Sequence, residues 1–133
     1  MDDINIYSGI HVLIIDDDQS MITLIATILQ TMGFVNIERA INADKALAIF
    51  EDDPGIVDIV ICDWKMPGKS GLQFLKELRV INPDIPFLML TSKSSIEDVR
   101  AAADAGVSYY LTKPFTADEL QKRVKAMAKP LIS

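Results

Sequence analysis

The chain has a single cysteine, Cys62, among 133 residues, which excludes a disulfide framework and a cysteine-rich zinc module. Histidine is as scarce. His11 stands alone inside an apolar run and is read as a packing residue. The N-terminus, Met1-Asp2-Asp3-Ile4-Asn5, has neither a basic region nor an apolar stretch, so no secretory signal is expected. No internal repeat, low-complexity tract or Gly/Ser linker breaks the chain, and its length suits one domain with its own core. Basic charge is in deficit: 13 Lys/Arg against 19 Asp/Glu leave a net −6, a poor match for nucleic-acid phosphates. Charge of either sign is missing from residues 19–37, yet the polar Gln19, Ser20, Thr23, Thr27, Gln30, Thr31 and Asn36 argue against a membrane span there. A reducing, cytoplasmic setting is the expectation.

What remains is a globular composition, 50% hydrophobic and 24% charged. The charge is uneven. Residues 1–63 hold twelve acidic and two basic side chains, whereas residues 64–133 hold seven acidic and eleven basic. That asymmetry suits a site where carboxylates of the first half meet cations of the second. Short apolar runs at 10–15, 34–40, 56–62, 86–90 and 107–112 read as buried strands. Between them the apolar period becomes helical. Met21, Leu24, Ile25, Ile28, Leu29 and Met32 mark a first helix stopped by Gly33, and Ala43, Ala46, Leu47 and Phe50 a second. Leu72, Leu75, Leu78 and Ile81 mark a third, and Ile96, Val99, Ala102 and Ala103 a fourth closed by Gly106. Ala117, Leu120, Val124, Met127 and Leu131 mark a fifth, with Thr116 and Glu119 placed as a capping box. Five strand–helix units are too few for an eight-fold barrel, so a doubly wound parallel α/β sheet with helices on both faces is predicted. Such sheets bind ligands beyond the carboxyl ends of their strands.

Those ends carry the chemistry. Asp16, Asp17 and Asp18 follow the first strand, Asp63 the third, Thr91 and Ser92 the fourth, and Lys113 and Pro114 the fifth. Clustered carboxylates either take up protons or bind a cation, and oxygen donors suit Mg²⁺, with Mn²⁺ as an alternative. A carboxylate flanked by a divalent ion, a hydroxyl and an ammonium describes a phosphoryl site. Asp63 would be the nucleophile that becomes an aspartyl phosphate, with Thr91 and Lys113 each taking a phosphoryl oxygen.

Four segments carry a family resemblance: Ile14-Ile15-Asp16-Asp17-Asp18, Cys62-Asp63-Trp64-Lys65-Met66-Pro67, Met89-Leu90-Thr91-Ser92 and Tyr110-Leu111-Thr112-Lys113-Pro114-Phe115. In this order and spacing they resemble the receiver domain of bacterial response regulators in two-component systems, particularly the stand-alone chemotaxis type. The resemblance implies a flavodoxin-like five-stranded sheet of order 2-1-3-4-5. It implies Asp63 as phospho-acceptor. Asp17, Asp63 and the Lys65 backbone carbonyl become metal ligands, with Asp16 acting through water. Thr91 becomes the switch hydroxyl, Lys113 the phosphate-binding lysine, and Tyr110 the switch aromatic that turns inward on activation. Lys65 and Lys93 fall at the two positions that tune dephosphorylation, and Lys113-Pro114 is expected to be cis. Ser70 stands where the family commonly has Asp and can still cap the third helix.

The implied function is a signalling protein, not an enzyme beyond its own phosphorylation and dephosphorylation. A histidine kinase or histidine phosphotransfer protein is the expected donor, docking near the first helix on a neutral face that includes Thr23 and Ala26. Output is expected through a protein target on the surface of the fourth helix, fifth strand and fifth helix, without nucleic acid or membrane insertion. The division is 1–9 as an N-terminal extension, 10–129 as the receiver and 130–133 as a tail, with no output domain. Two alternatives stand beside this reading. One is a pseudo-receiver that binds partners without phosphorylation. The other is a haloacid-dehalogenase-like phosphatase using Asp16, whose motif Asp16-Asp17-Asp18-Gln19-Ser20 loosely fits.

Overall fold

A computed structural model describes residues 5–132. The elements alternate: β1 (His11–Ile15), α1 (Gln19–Met32), β2 (Asn36–Ala40), α2 (Ala43–Asp52), β3 (Ile59–Cys62), α3 (Gly71–Ile81), β4 (Phe87–Thr91), α4 (Ile96–Asp104), β5 (Tyr109–Thr112) and α5 (Ala117–Ala128). All neighbouring strands are parallel, and the sheet order is β2-β1-β3-β4-β5. This is the doubly wound architecture expected from the strand–helix alternation.

Strand parity builds two cores. Leu13, Ile15, Val60, Cys62, Phe87 and Met89 face α2 and α3, where Phe50 and Phe74 pack against one another and Phe74 against Phe87. Val12, Ile14, Ile59, Ile61, Leu88 and Leu90 face α1 and α5, meeting Ile25, Leu29, Leu120 and Val124. Burial on both faces explains why these strands read as continuous apolar runs rather than alternating ones.

The strands are shorter than the apolar runs. Pro86 has no N–H, and β4 begins after it, although the Pro86 carbonyl still accepts from the Val60 N–H at 2.9 Å. Ile10, Phe34 and Val57 are buried outside the ladder, because apolar burial and strand pairing are separate requirements. Thr91 is the last residue of β4, not the first after it. The fourth helical face is largely a surface. Of its predicted apolar positions only Ala102 is buried, while Ile96 is 66% exposed. Leu131 falls in a 3-10 turn beyond α5 and is exposed too.

Each helix starts on a side-chain cap: Asp18, Asn42, Ser70, Ser95 and Thr116, the last with Glu119 completing a capping box. Gly33 closes α1 at φ 112°, a conformation that favours glycine. Before β1, the Asn5 side-chain amide donates to the Gly33 carbonyl at 2.7 Å, and Tyr7 stacks on Phe34 at 4.5 Å. Among the described residues no helix is long and apolar enough to cross a membrane.

Candidate functional site

The sheet delivers its polar residues to one edge by extending its ladder one step past the strands. The Asp16 N–H donates to the Ala40 carbonyl, the Asp63 N–H to Ile15, and the Lys113 N–H to Thr91. The first residue beyond β1, β3 and β5 is therefore held in sheet register before each loop departs. Carboxylate oxygens of Asp16, Asp17 and Asp63 all lie within 4.8 Å of one another. Asp16 is buried, Asp63 half-buried and Asp17 exposed. Such an all-oxygen, hard donor set fits Mg²⁺.

Lys113 is the cation that balances them. Its Nζ lies 3.1 Å from Asp16 Oδ2 and 3.5 Å from Asp63 Oδ2, so the acidic half and the basic half of the chain do meet here. The Lys113-Pro114 bond is cis, as the family resemblance implied. Burial raises the Asp16 carboxyl above its ordinary range, opposed by the Asp18 N–H on Oδ1 at 2.9 Å and by Lys113. Asp63 Oδ1 accepts from the Trp64 N–H at 2.7 Å, which fixes the carboxylate's rotation.

The Asp16-Asp17-Asp18 run divides. Asp18 turns to the start of α1, where its carboxylate accepts from the N–H groups of Ser20 and Met21 and from the Ser20 hydroxyl. The Ser20 hydroxyl bond leads the effects that hold this carboxyl below its ordinary range. The helix terminus thus relieves part of the repulsion that the bare sequence suggested.

Thr91 is fully buried, and its hydroxyl oxygen accepts from the Lys93 N–H at 3.2 Å. Lys93 is fastened at three further points. Its carbonyl accepts from the Tyr110 hydroxyl at 2.7 Å, its Nζ lies 5.3 Å from the Trp64 ring centroid, and Asp98 is 4.0 Å from that Nζ. The Trp64 and Tyr110 rings meet edge-on at 6.4 Å. Burial, then the Asp98 charge, pushes the Tyr110 phenol up to about 12. Lys65 is exposed in the loop after β3. Thr23 is exposed on α1 as expected, but Ala26 is 1% exposed and packs in the α1–α5 core, so it is not part of an outer face. The helical period puts Ala26 beside Ile22 and Ile25 on the buried side.

Gly71 was passed over in the sequence. It opens α3, donates its N–H to the Trp64 carbonyl at 2.7 Å, and a Cβ there would collide with the Asp63 carbonyl oxygen and Trp64 Cα. Any residue can occupy a first helical turn, so glycine directly after the Ser70 cap was the available signal of close backbone approach. Asp98 was missed as well, because nothing local ties a charge on α4 to Tyr110 and Lys93.

A parallel sheet that gathers three carboxylates, a buried hydroxyl and one ammonium at its carboxyl edge defines a flavodoxin-like domain with an acidic, lysine-bridged pocket. The model of the response regulator receiver domain matches residues 12–125, and the chain belongs to that family. Chemotaxis protein CheY-3 of Vibrio cholerae serotype O1 is 36% identical over 118 residues, 87% of this chain and 89% of that protein. Transcriptional regulatory protein ZraR of Salmonella typhimurium is 38% identical over 120 residues, which are 90% of this chain and 26% of that protein. Among solved structures, chemotaxis protein CheY4 of Vibrio cholerae matches with a TM-score of 0.82 at 30% identity, over 90% of this chain and 99% of that one. Receiver domains are signalling proteins of phospho-aspartate two-component systems and bind Mg²⁺ at an acidic cluster.

Proposed function

We propose that this chain accepts a phosphoryl group on Asp63 from a histidine kinase or histidine phosphotransfer protein and passes the signal on by protein contact. The observation that carries the reading is Lys113 Nζ lying between Asp16 and Asp63, with Asp17 completing the carboxylate cluster. Asp63 attacks phosphorus as the donor's P–N bond breaks, needing no general base because a carboxylate is already a nucleophile. Asp16, Asp17, Asp63 and the Lys65 carbonyl would hold Mg²⁺, which would neutralise charge on the carboxylates and the phosphoryl oxygens. Lys113 pairs with one phosphoryl oxygen, and the Thr91 hydroxyl turns to donate to another. That turn takes Thr91 from the Lys93 N–H and so loosens the loop to which Tyr110 is bonded.

The donor docks near α1, where Thr23 and the neutral outer face adjoin the acidic loop. The target binds the α4-β5-α5 surface, where Ile96, Val99 and Tyr109 are exposed. Lys122, Arg123, Lys125 and Lys129 favour an acidic target on that surface. Lys65 and Lys93 slow the loss of phosphate, in a cytoplasmic protein whose receiver unit is residues 10–129. Asn5 and Tyr7 of the preceding extension are fastened to that unit.

Incubation with Mg²⁺ and acetyl phosphate tests the acceptor. Intact-mass measurement should find one phosphate on the native chain and none on Asp63→Asn. An undiminished adduct on Asp63→Asn would overturn the assignment, and an adduct lost only in Asp16→Asn would transfer it to the phosphatase-like reading.

A further inference from the structure

A roomy groove lies away from the acidic pocket, between α2 and α3, with a volume of about 610 Å³. Leu47 of α2 and Val80 and Ile81 of α3 line it. Val80 is 87% exposed and Ile81 42%, although the neighbouring Leu78 is fully buried in the core. A single exposed aliphatic residue is ordinary, but Val80 and Ile81 are adjacent and line the same groove, which makes a small apolar patch at its mouth.

The rim is acidic. Asp44 and Glu51 rise from α2 and Glu77 from α3, against one cation, Lys69. That lysine is already engaged, 3.6 Å from Asp44 and 3.0 Å from Glu77. Glu51, one turn after Leu47, has no ion pair among the described residues. Charge decides between occupants. A two-fold contact with a second copy would set this acidic rim against itself. A membrane surface or a nucleic acid is anionic and is repelled in the same way. A protein helix with apolar residues along one stripe and Lys or Arg beside it satisfies both floor and rim.

We propose that the α2–α3 groove is a second docking surface, which receives a basic amphipathic helix of a protein partner. Apolar residues of that helix, one turn apart, would lie on Leu47, Val80 and Ile81, and its cations would reach Glu51 and the outer edges of Asp44 and Glu77. This surface is separate from α1 and from the α4-β5-α5 face, and the inference does not depend on the phosphotransfer reading.

The probe is an amidated peptide of about 15 residues with Leu at helical spacing and Lys on both flanks, and no acidic residue. Titrated into ¹⁵N-labelled protein, it should shift amides of residues 44–51 and 69–81. Val80→Lys and Glu51→Lys should each weaken binding by roughly tenfold or more, while Glu38→Lys, an equal charge reversal on exposed β2, changes it by less than about twofold. Val80 and Glu51 are exposed, so both variants should keep the native melting temperature and acetyl phosphate labelling at Asp63. The proposal is overturned if shifts centre on another face, or if Glu38→Lys weakens binding as much as Glu51→Lys. It is equally overturned if an acidic version of the peptide binds as well, if no binding occurs at millimolar peptide, or if the native chain dimerises through this groove in sedimentation.

Discussion

Asp17 offers the most direct test of how the acidic pocket stores unfavourable charge. Its carboxylate lies within 4.8 Å of those of Asp16 and Asp63, and it makes no hydrogen bond or ion pair among the described residues. Lys113 serves the other two. Replacing Asp17 by Asn therefore removes two short-range repulsions against one longer-range attraction, that of Lys113. Asp17 is exposed, so a dielectric near that of water applies, and each repulsion at 4.8 Å is worth about 0.9 kcal/mol. The Lys113 attraction at about 8 Å takes back about 0.5 kcal/mol, and the repulsion from Asp16 persists in part in the unfolded chain, where the two are adjacent, so the net gain should be about 0.5 kcal/mol. For a domain of this size that raises the melting temperature by about 2 °C. The assay is thermal unfolding followed by circular dichroism, in chelator at low ionic strength. High salt should shrink the gap by screening. Millimolar Mg²⁺ should close or reverse it, because the native chain gains by linkage and the variant has lost a ligand. An Asp17→Asn protein that melts at or below the native temperature in chelator would refute the reasoning.

Three further outcomes follow from other parts of the structure. Gly71→Ala forces α3 away from the Asp63 backbone, so it should cost about 1–3 kcal/mol in urea unfolding and slow acetyl phosphate labelling at Asp63. The Arg79 guanidinium donates to the carbonyls of Gly106, Asn82 and Ile85, stitching the ends of α3 and α4 to the sheet. Arg79→Met should therefore lower stability by about 2–3 kcal/mol, with amide exchange quickening first around residues 104–108. Asp16, whose folded pKa burial raises above 3.8, contributes stability that is fully present below that value and is lost as pH rises through the raised folded pKa. In chelator, the stability of the native chain relative to Asp16→Asn should fall over that window, the comparison cancelling the opposite contributions of Asp18 and Glu77.

Much of this molecule was legible in order along the chain. Two-sided burial makes the central strands β1, β3 and β4 apolar runs, while the edge strands β2 and β5 are half-exposed, and each helix keeps an amphipathic period, so the strand–helix alternation could be read directly. Gly33, Ser70 and the Thr116–Glu119 pair mark helix ends through local hydrogen bonding, which needs no tertiary partner. Asp63, Thr91 and Lys113 could be grouped because a parallel sheet carries every strand end to the same edge. The metal ligand set and the switch role of Tyr110 came from family resemblance, not from residue physics. Tertiary structure alone decided what depends on direction and distance. It gathered Asp16 and Asp17 with Asp63, whereas Asp18 left the run through the same kind of local cap as Ser70. It buried Ala26 and left Ile96 and Val80 in water, because periodicity marks an apolar stripe but not which stripes find a neighbour. It brought Asp98, Lys93, Trp64 and Tyr110 together from four separate segments, and it pressed Gly71 against the Asp63 backbone. Such contacts belong to packing between separate strands, loops and helices, near or far along the chain, which the apolar pattern does not encode.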